Sequence, residues 1–282
     1  MKIQILHFAA AFCFAGLTVS ATPIPESCLI NGIALGCQAY SFKEFSVMEA
    51  IDKTAAAGGK IIEFYPGQKF SPEKPDLKFD HNATGEMIAA VKARLAERGI
   101  RAVNYGVVGI PKDEAGARKI FEFAKQFELY GITTESVDAI DTIEKLVKEY
   151  DIRVGFHDHP KQANNPKYQM WDPHYVLSVV KDRDARIGSC ADVGHWFHSG
   201  LDPVACLKIL QGRVISTHLK DEDSTFNVVP FGAGKINMPA VLEELKRQHF
   251  VGNASIEYEA NWKNNVGDIT QCITYVRGLG AK

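Results

Sequence analysis

From Gly32 onward, short runs rich in apolar and β-branched residues alternate with stretches of helical period, eight of each. That alternation is the pattern of βα units, in which parallel strands are joined by crossover helices. Strands are expected at Ile33 to Ser41, Lys60 to Tyr65, Arg101 to Val108, Ile132 to Ser136, Arg153 to His159, Arg186 to Val193, Arg213 to Lys220 and Ala254 to Glu259. Eight is the number at which a parallel sheet closes on itself around a core of its own side chains, so the expected fold class is an α/β (β/α)8 TIM barrel. An open doubly wound sheet would share the alternation. No GxGxxG follows the first strand, however, and polar residues crowd the ends of several strands instead of one switch point, which favours the closed form.

The helical stretches carry their own boundaries. Ser46 with Glu49 makes a capping box, Gly58-Gly59 ends that helix, and Asp172-Pro173 and Asp202-Pro203 each set an N-cap acid before a first-turn proline. Apolar residues recur at helical spacing, as in Ile143, Leu146, Val147 and Tyr150, giving each helix one face to lay on a barrel.

Ahead of the alternation, Met1-Lys2 precedes an apolar run ending Val19-Ser20-Ala21, a secretory signal peptide by charge, length and small residues at the cleavage point. Cleavage after Ala21 leaves residues 22–282 as one barrel domain with a periplasmic or extracellular address and no membrane insertion. Five of the six cysteines survive cleavage. An oxidising compartment permits a Cys28 to Cys37 bridge, but an odd count without CxxC argues against a disulfide framework, and the residues read as small buried apolar groups. Net charge is −2 with the two signs interspersed, so the basic footprint of a nucleic-acid or membrane-surface binder is missing.

In a TIM barrel the chemistry sits at the C-terminal strand ends, and the second half of this chain supplies ligand-type residues there one strand after another. Strand five ends His157-Asp158-His159, and a period of two puts both imidazoles on one face. Strand six ends at Asp192 with His195 in the turn beyond; strand seven carries His218 and Lys220 on one face; strand eight carries Glu257 and Glu259; strand four ends near Glu135. Inward residues on adjacent strands can converge on one ion, and His157, Asp192, His218 and Glu257 offer two nitrogens and two carboxylates. That mixed set suits Mn, Co or Zn and less well Mg or Ca. Glu63, Tyr40 and Trp196, near other strand ends, are candidates with His195 for contacting substrate, the aromatic rings by stacking on a sugar.

The runs Cys190-Ala191-Asp192-Val193-Gly194-His195-Trp196, Ser216-Thr217-His218-Leu219-Lys220-Asp221, Pro230-Phe231-Gly232-Ala233-Gly234 and Ser255-Ile256-Glu257-Tyr258-Glu259, with Gln38-Ala39-Tyr40-Ser41 and Ile62-Glu63-Phe64-Tyr65, resemble the sugar phosphate isomerase/epimerase family with its xylose isomerase-like TIM barrel. The resemblance covers essentially the whole mature chain. It implies one divalent ion held by Asp192, His218 and Glu257, with His157 standing where relatives carry a fifth-strand Glu. It also implies proton transfer beside a metal-bound oxygen of a carbohydrate; on the residues present, Glu257 or Glu135 is expected as base, Glu135 alternatively as a ligand in the place of His157, and Lys220 or His159 as the group that stabilises charge or donates a proton. Isomerase or epimerase is the leading expectation. A lyase that cleaves 3-keto-glycosides by elimination is the alternative, and an endonuclease or a non-catalytic sugar-binding protein are lesser ones.

Overall fold

In the computed structural model, which describes residues 23–280, eight strands close into a parallel barrel. They are β1 (Ile33–Gln38), β2 (Ile61–Phe64), β3 (Arg101–Tyr105), β4 (Gly131–Thr134), β5 (Arg153–His157), β6 (Ile187–Asp192), β7 (Val214–Leu219) and β8 (Asn253–Ile256). Each pairs in parallel with the next, and β8 pairs with β1 to close the ring. The expected signal peptide and its cleavage point lie outside the described residues.

Helices α1 (Val47–Ala56), α2 (Gly85–Arg98), α3 (Glu114–Gln126) and α4 (Ile140–Tyr150) follow the first four strands. After β5 comes α5 (Pro173–Val180), after β6 the pair α6 (Val193–His198) and α7 (Pro203–Ile209), after β7 α8 (Met238–Arg247), and after β8 α9 (Val266–Leu279). Local signals explain the boundaries: Ser46 and Glu49 form the capping box of α1, and Asp172 and Asp202 cap α5 and α7 in front of their prolines. The strands are buried on both faces, by helices outside and by packed side chains inside. Gly36 shows how closely β1 and β2 approach, since a Cβ there would stand 1.8 Å from the Ile61 carbonyl oxygen.

Several strands stop earlier than expected, for local reasons. β1 ends at Gln38 because its side chain accepts the Tyr40 N–H at 3.0 Å and the chain turns into the short 3-10 helix Ala39–Phe42. β6 ends at Asp192, whose Oδ1 accepts the His195 N–H at 2.9 Å and so opens α6. His195 therefore sits on a helix, a correction to the turn expected there. Two antiparallel ribbons, Gln68–Ser71 with Lys74–Phe79 and Asp221–Glu222 with Val228–Val229, were not foreseen. Among the described residues all five cysteines are buried and free, so Cys28 and Cys37 are not bridged, and no helix is long and apolar enough to cross a membrane.

Candidate metal centre

His157 closes β5, Asp192 closes β6, His218 lies one residue from the end of β7, and Glu257 follows β8 directly. Register brings His218 level with Asp192 across the β6–β7 ladder. The four are buried, and one ligand atom from each lies within 4.8 Å of all the others. His157 Nε2 stands 3.6 Å from Asp192 Oδ2, His218 Nδ1 stands 3.8 Å from the same oxygen, and His218 Nδ1 stands 3.3 Å from Glu257 Oε2.

The chemistry of these atoms tests the fit to an ion. His157 Nε2, Asp192 Oδ2 and His218 Nδ1 are buried without a well-aligned hydrogen bond, and the charges nearest them are one another, Glu257 and the Lys220 ammonium. Two imidazole nitrogens and a carboxylate oxygen that converge, with Glu257 completing a fourth corner, are the donor set a divalent cation takes once the imidazoles are neutral. The far edges of both rings are also provided for. Glu135 Oε1 lies 3.1 Å from His157 Nδ1, hydrogen bonded to it, and Glu63 Oε1 lies 3.2 Å from His218 Nε2 in an ion-pair contact. A carboxylate on the distal nitrogen fixes which ring nitrogen faces a metal.

The centre also attracts cations already built into the protein. Lys220, 2 % exposed, sets its Nζ 3.0 Å from Asp192 Oδ2, 2.9 Å from Glu257 Oε2 and 2.5 Å from Glu259 Oε1. Burial opposes charge on Lys220, yet Asp192, Glu257 and Glu259 hold its ammonium well above the ordinary lysine range. Burial likewise opposes charge on His157, but Asp192 and Glu135 push its imidazole up to about 10. Glu257 is driven the other way: burial would raise its carboxyl, and Lys220 and His218 outweigh that and lower it. Cations raised and acids lowered together mark compensating ion pairs, with the carboxylates already holding positive charge where a metal ion would sit.

His195 is fixed differently. Its Nδ1 donates to the Asp158 carbonyl at 2.7 Å, an oxygen that can only accept, so Nε2 carries the lone pair and accepts from Lys220 Nζ at 2.9 Å. Burial pushes its pKa down to about 3, so the ring is neutral. Asp158, just past the end of β5 between His157 and His159, accepts the Asp192 N–H at 2.9 Å and braces that candidate ligand.

A cavity of about 430 Å³ opens over the centre, lined by His157, His159 and His195, by Glu257 and Glu259, and by residues that include Gln38, Tyr40 and Tyr65. Tyr40 is held edge-on between Tyr65, at 5.3 Å, and Trp262, at 5.9 Å. Three of the residues expected at the pocket lie elsewhere. Trp196 is fully buried, because α6 begins immediately after Asp192 and swings the indole into the core. Glu63 is fully buried inside the barrel, where Thr133, Asn253 and Ser255 donate to it beneath His218. Glu135 lies behind His157, with Oε1 against the Nδ1 atoms of His157 and His159 and Oε2 accepting from Tyr168 at 3.3 Å. Tyr168 and Trp262 come from loops without periodicity, and no sequence signal pointed to them. Gln38 stood in a quoted motif, and its role follows from the early end of β1.

Comparison with known proteins agrees with this architecture. The family described as xylose isomerase-like TIM barrel matches residues 51–275. The chain belongs to that family. An uncharacterised protein from Parabacteroides distasonis ATCC 8503 is similar, at 29% identity and a TM-score of 0.71 over 88% of this chain and 99% of that one. A D-tagatose 3-epimerase-like protein aligns at 17% identity and a TM-score of 0.68, covering 87% and 96% of the two chains. A D-allulose 3-epimerase from Methylomonas sp. aligns at 13% identity and 0.67, covering 88% and 98%. At these identities the two epimerases speak for the shared barrel alone. No curated protein matches the chain.

Proposed function

We propose that this member of the xylose isomerase-like family is an exported, metal-dependent isomerase or epimerase that moves a proton beside a carbonyl of a carbohydrate. The observation that carries the reading is the convergence of His157 Nε2, Asp192 Oδ2 and His218 Nδ1, buried and without a well-aligned hydrogen bond, with Glu257 at the wall of an open cavity. These four residues would hold the ion, which when bound polarises a carbonyl and its neighbouring hydroxyl.

The rest is the work of the chain's own groups. Glu257 faces the cavity and takes the proton from the carbon beside the carbonyl. His159, half-exposed on the opposite wall and oriented by Glu135 at its Nδ1, returns a proton. His195, neutral and tethered at both nitrogens, lines the wall between them, and Lys220 supports the carboxylates from below. Glu135 lies behind His157 and does not line the cavity, so the base role goes to Glu257.

One observation favours elimination from a keto-glycoside as a second reading. Of the four candidate ligands, Glu257 alone brings a carboxylate to the cavity wall, and the facing wall carries imidazoles. Epimerisation through an enediolate needs a base on each face; elimination needs one base and one acid. Incubating Mn²⁺-loaded protein in D₂O with ketohexoses and with 3-keto-glycosides separates them. Deuterium at a retained carbon supports isomerisation or epimerisation, a released aglycone supports elimination, and neither product from any sugar would overturn both.

A further inference from the structure

The resemblance leads one to expect a carboxylate ligand on the fifth strand, and this chain has His157 instead. We infer that Glu135 is the positioning residue of the centre: through one oxygen it aims His157 at the ion and supplies, one ring removed, the negative charge that a ligand carboxylate would bring. The inference rests on the metal reading above.

Topology brings the two together. β4 and β5 are neighbours with Thr134 level with Phe156, so Glu135, just past the end of β4, meets His157 at the end of β5. The two nitrogens of an imidazole point to opposite edges of the ring. Glu135 Oε1 occupies the Nδ1 edge at 3.1 Å, whereas Nε2 faces Asp192 Oδ2 at 3.6 Å. Glu135 therefore cannot share an ion with His157 Nε2; it can only act through the ring. An imidazole whose distal N–H is given to a carboxylate is locked in one tautomer and is a stronger donor at its free nitrogen.

The same oxygen also meets His159 Nδ1, and Oε2 accepts from Tyr168, whose oxygen in turn accepts the His159 N–H at 2.7 Å. Glu135 is thus fixed from both sides by loop and strand, and one carboxylate sets two imidazoles: His157 on the ion side and His159 in the cavity wall. This makes the orientation of a candidate ligand and of a candidate proton donor depend on a single group that touches neither ion nor substrate.

The test is Co²⁺ binding by the metal-stripped full chain, measured by competition with a chelator and by the visible absorption of the bound ion. Glu135→Gln preserves shape and removes charge. It is expected to weaken Co²⁺ roughly 10- to 100-fold, to leave the melting temperature of the metal-free protein nearly unchanged, and to give wild-type absorption bands at saturation. His159→Ala is expected to keep the ion. Unchanged affinity in Glu135→Gln would overturn the inference. Bands of a site with one ligand fewer would overturn it by making Glu135 a ligand, and so would loss of Co²⁺ from His159→Ala, which would move the ion to the Glu135, His157 and His159 side of the ring. If the wild-type chain binds no Co²⁺, the metal reading itself falls and takes this inference with it.

Discussion

Lys220 is the residue whose replacement most sharply separates the metal-free from the metal-loaded protein. Its Nζ stands 3.0 Å from Asp192 Oδ2 and 2.9 Å from Glu257 Oε2, the two carboxylate oxygens that face the ligand cluster. At an effective dielectric constant of about 20, each such pair is worth roughly 5 kcal/mol of direct attraction, most of it offset by the cost of burying both partners. Removing one partner of a buried pair leaves the other uncompensated and costs about 3–5 kcal/mol. Lys220→Met should therefore lower the melting temperature of the metal-free protein by roughly 10 °C, at about 2–4 °C per kcal/mol for a domain of this size. A divalent ion restores the missing positive charge and no longer contends with an ammonium for the same oxygens. Mn²⁺ should therefore bind Lys220→Met about tenfold or more tightly than wild type, equivalent to about 1.4 kcal/mol of extra stabilisation by linkage. The assay is calorimetric melting of chelator-treated protein with and without added Mn²⁺. An equal loss in both conditions, or a smaller gain from Mn²⁺ than wild type shows, would refute the account of Lys220 as the cation that stands in for the ion.

Two further outcomes are expected. Burial, with Asp192 close behind, raises the Glu222 carboxyl to about 7 in the folded chain, so folding favours its protonated form; stability is full below its unfolded value and falls as pH rises through about 7. Glu222→Gln should then raise the melting temperature at about pH 8 and change it little at about pH 4, and an equal shift at both would remove Glu222 from the pH dependence. Protein exported by its native host should begin near Thr22 by mass spectrometry, and an intact Met1 in the cytoplasm would remove the exported address.

How much of this was legible in the sequence depends on whether a residue's neighbours are fixed by period or by loops. Strand alternation and parity put His157 and His159 on one side and aligned Asp192, His218 and Glu257 on consecutive strand ends, because a barrel repeats one geometry eight times. The same logic misled at Trp196 and Glu63. Trp196 stands past a strand end, but Asp192 caps a helix that begins at Val193 and turns the indole inward. Glu63 has the inward parity of a pocket residue, yet β2 ends one residue later and leaves the carboxylate below the ligands, among Thr133, Asn253 and Ser255. Tyr168, supplied by an irregular segment, bonds to Glu135 across 33 positions of sequence, a pairing no periodicity announces.

In the proposed centre an imidazole on β5 has a physical logic. A third carboxylate ligand, in the place of His157, would add negative charge beside Asp192 and Glu257, already close enough together to hold the Lys220 ammonium between them. A neutral imidazole would contribute a lone pair without a charge, and Glu135 behind it would return the charge one ring away from a bound cation. The consequence is an asymmetric cavity, with carboxylates on the β8 wall and imidazoles on the β5 and α6 wall. Under the proposed function, removing a proton on the β8 side and delivering one from the β5 side would fall to different residue types, Glu257 and His159. This asymmetry is what a reaction with distinct base and acid steps requires, and it is the feature on which isomerisation, epimerisation and elimination would have to differ.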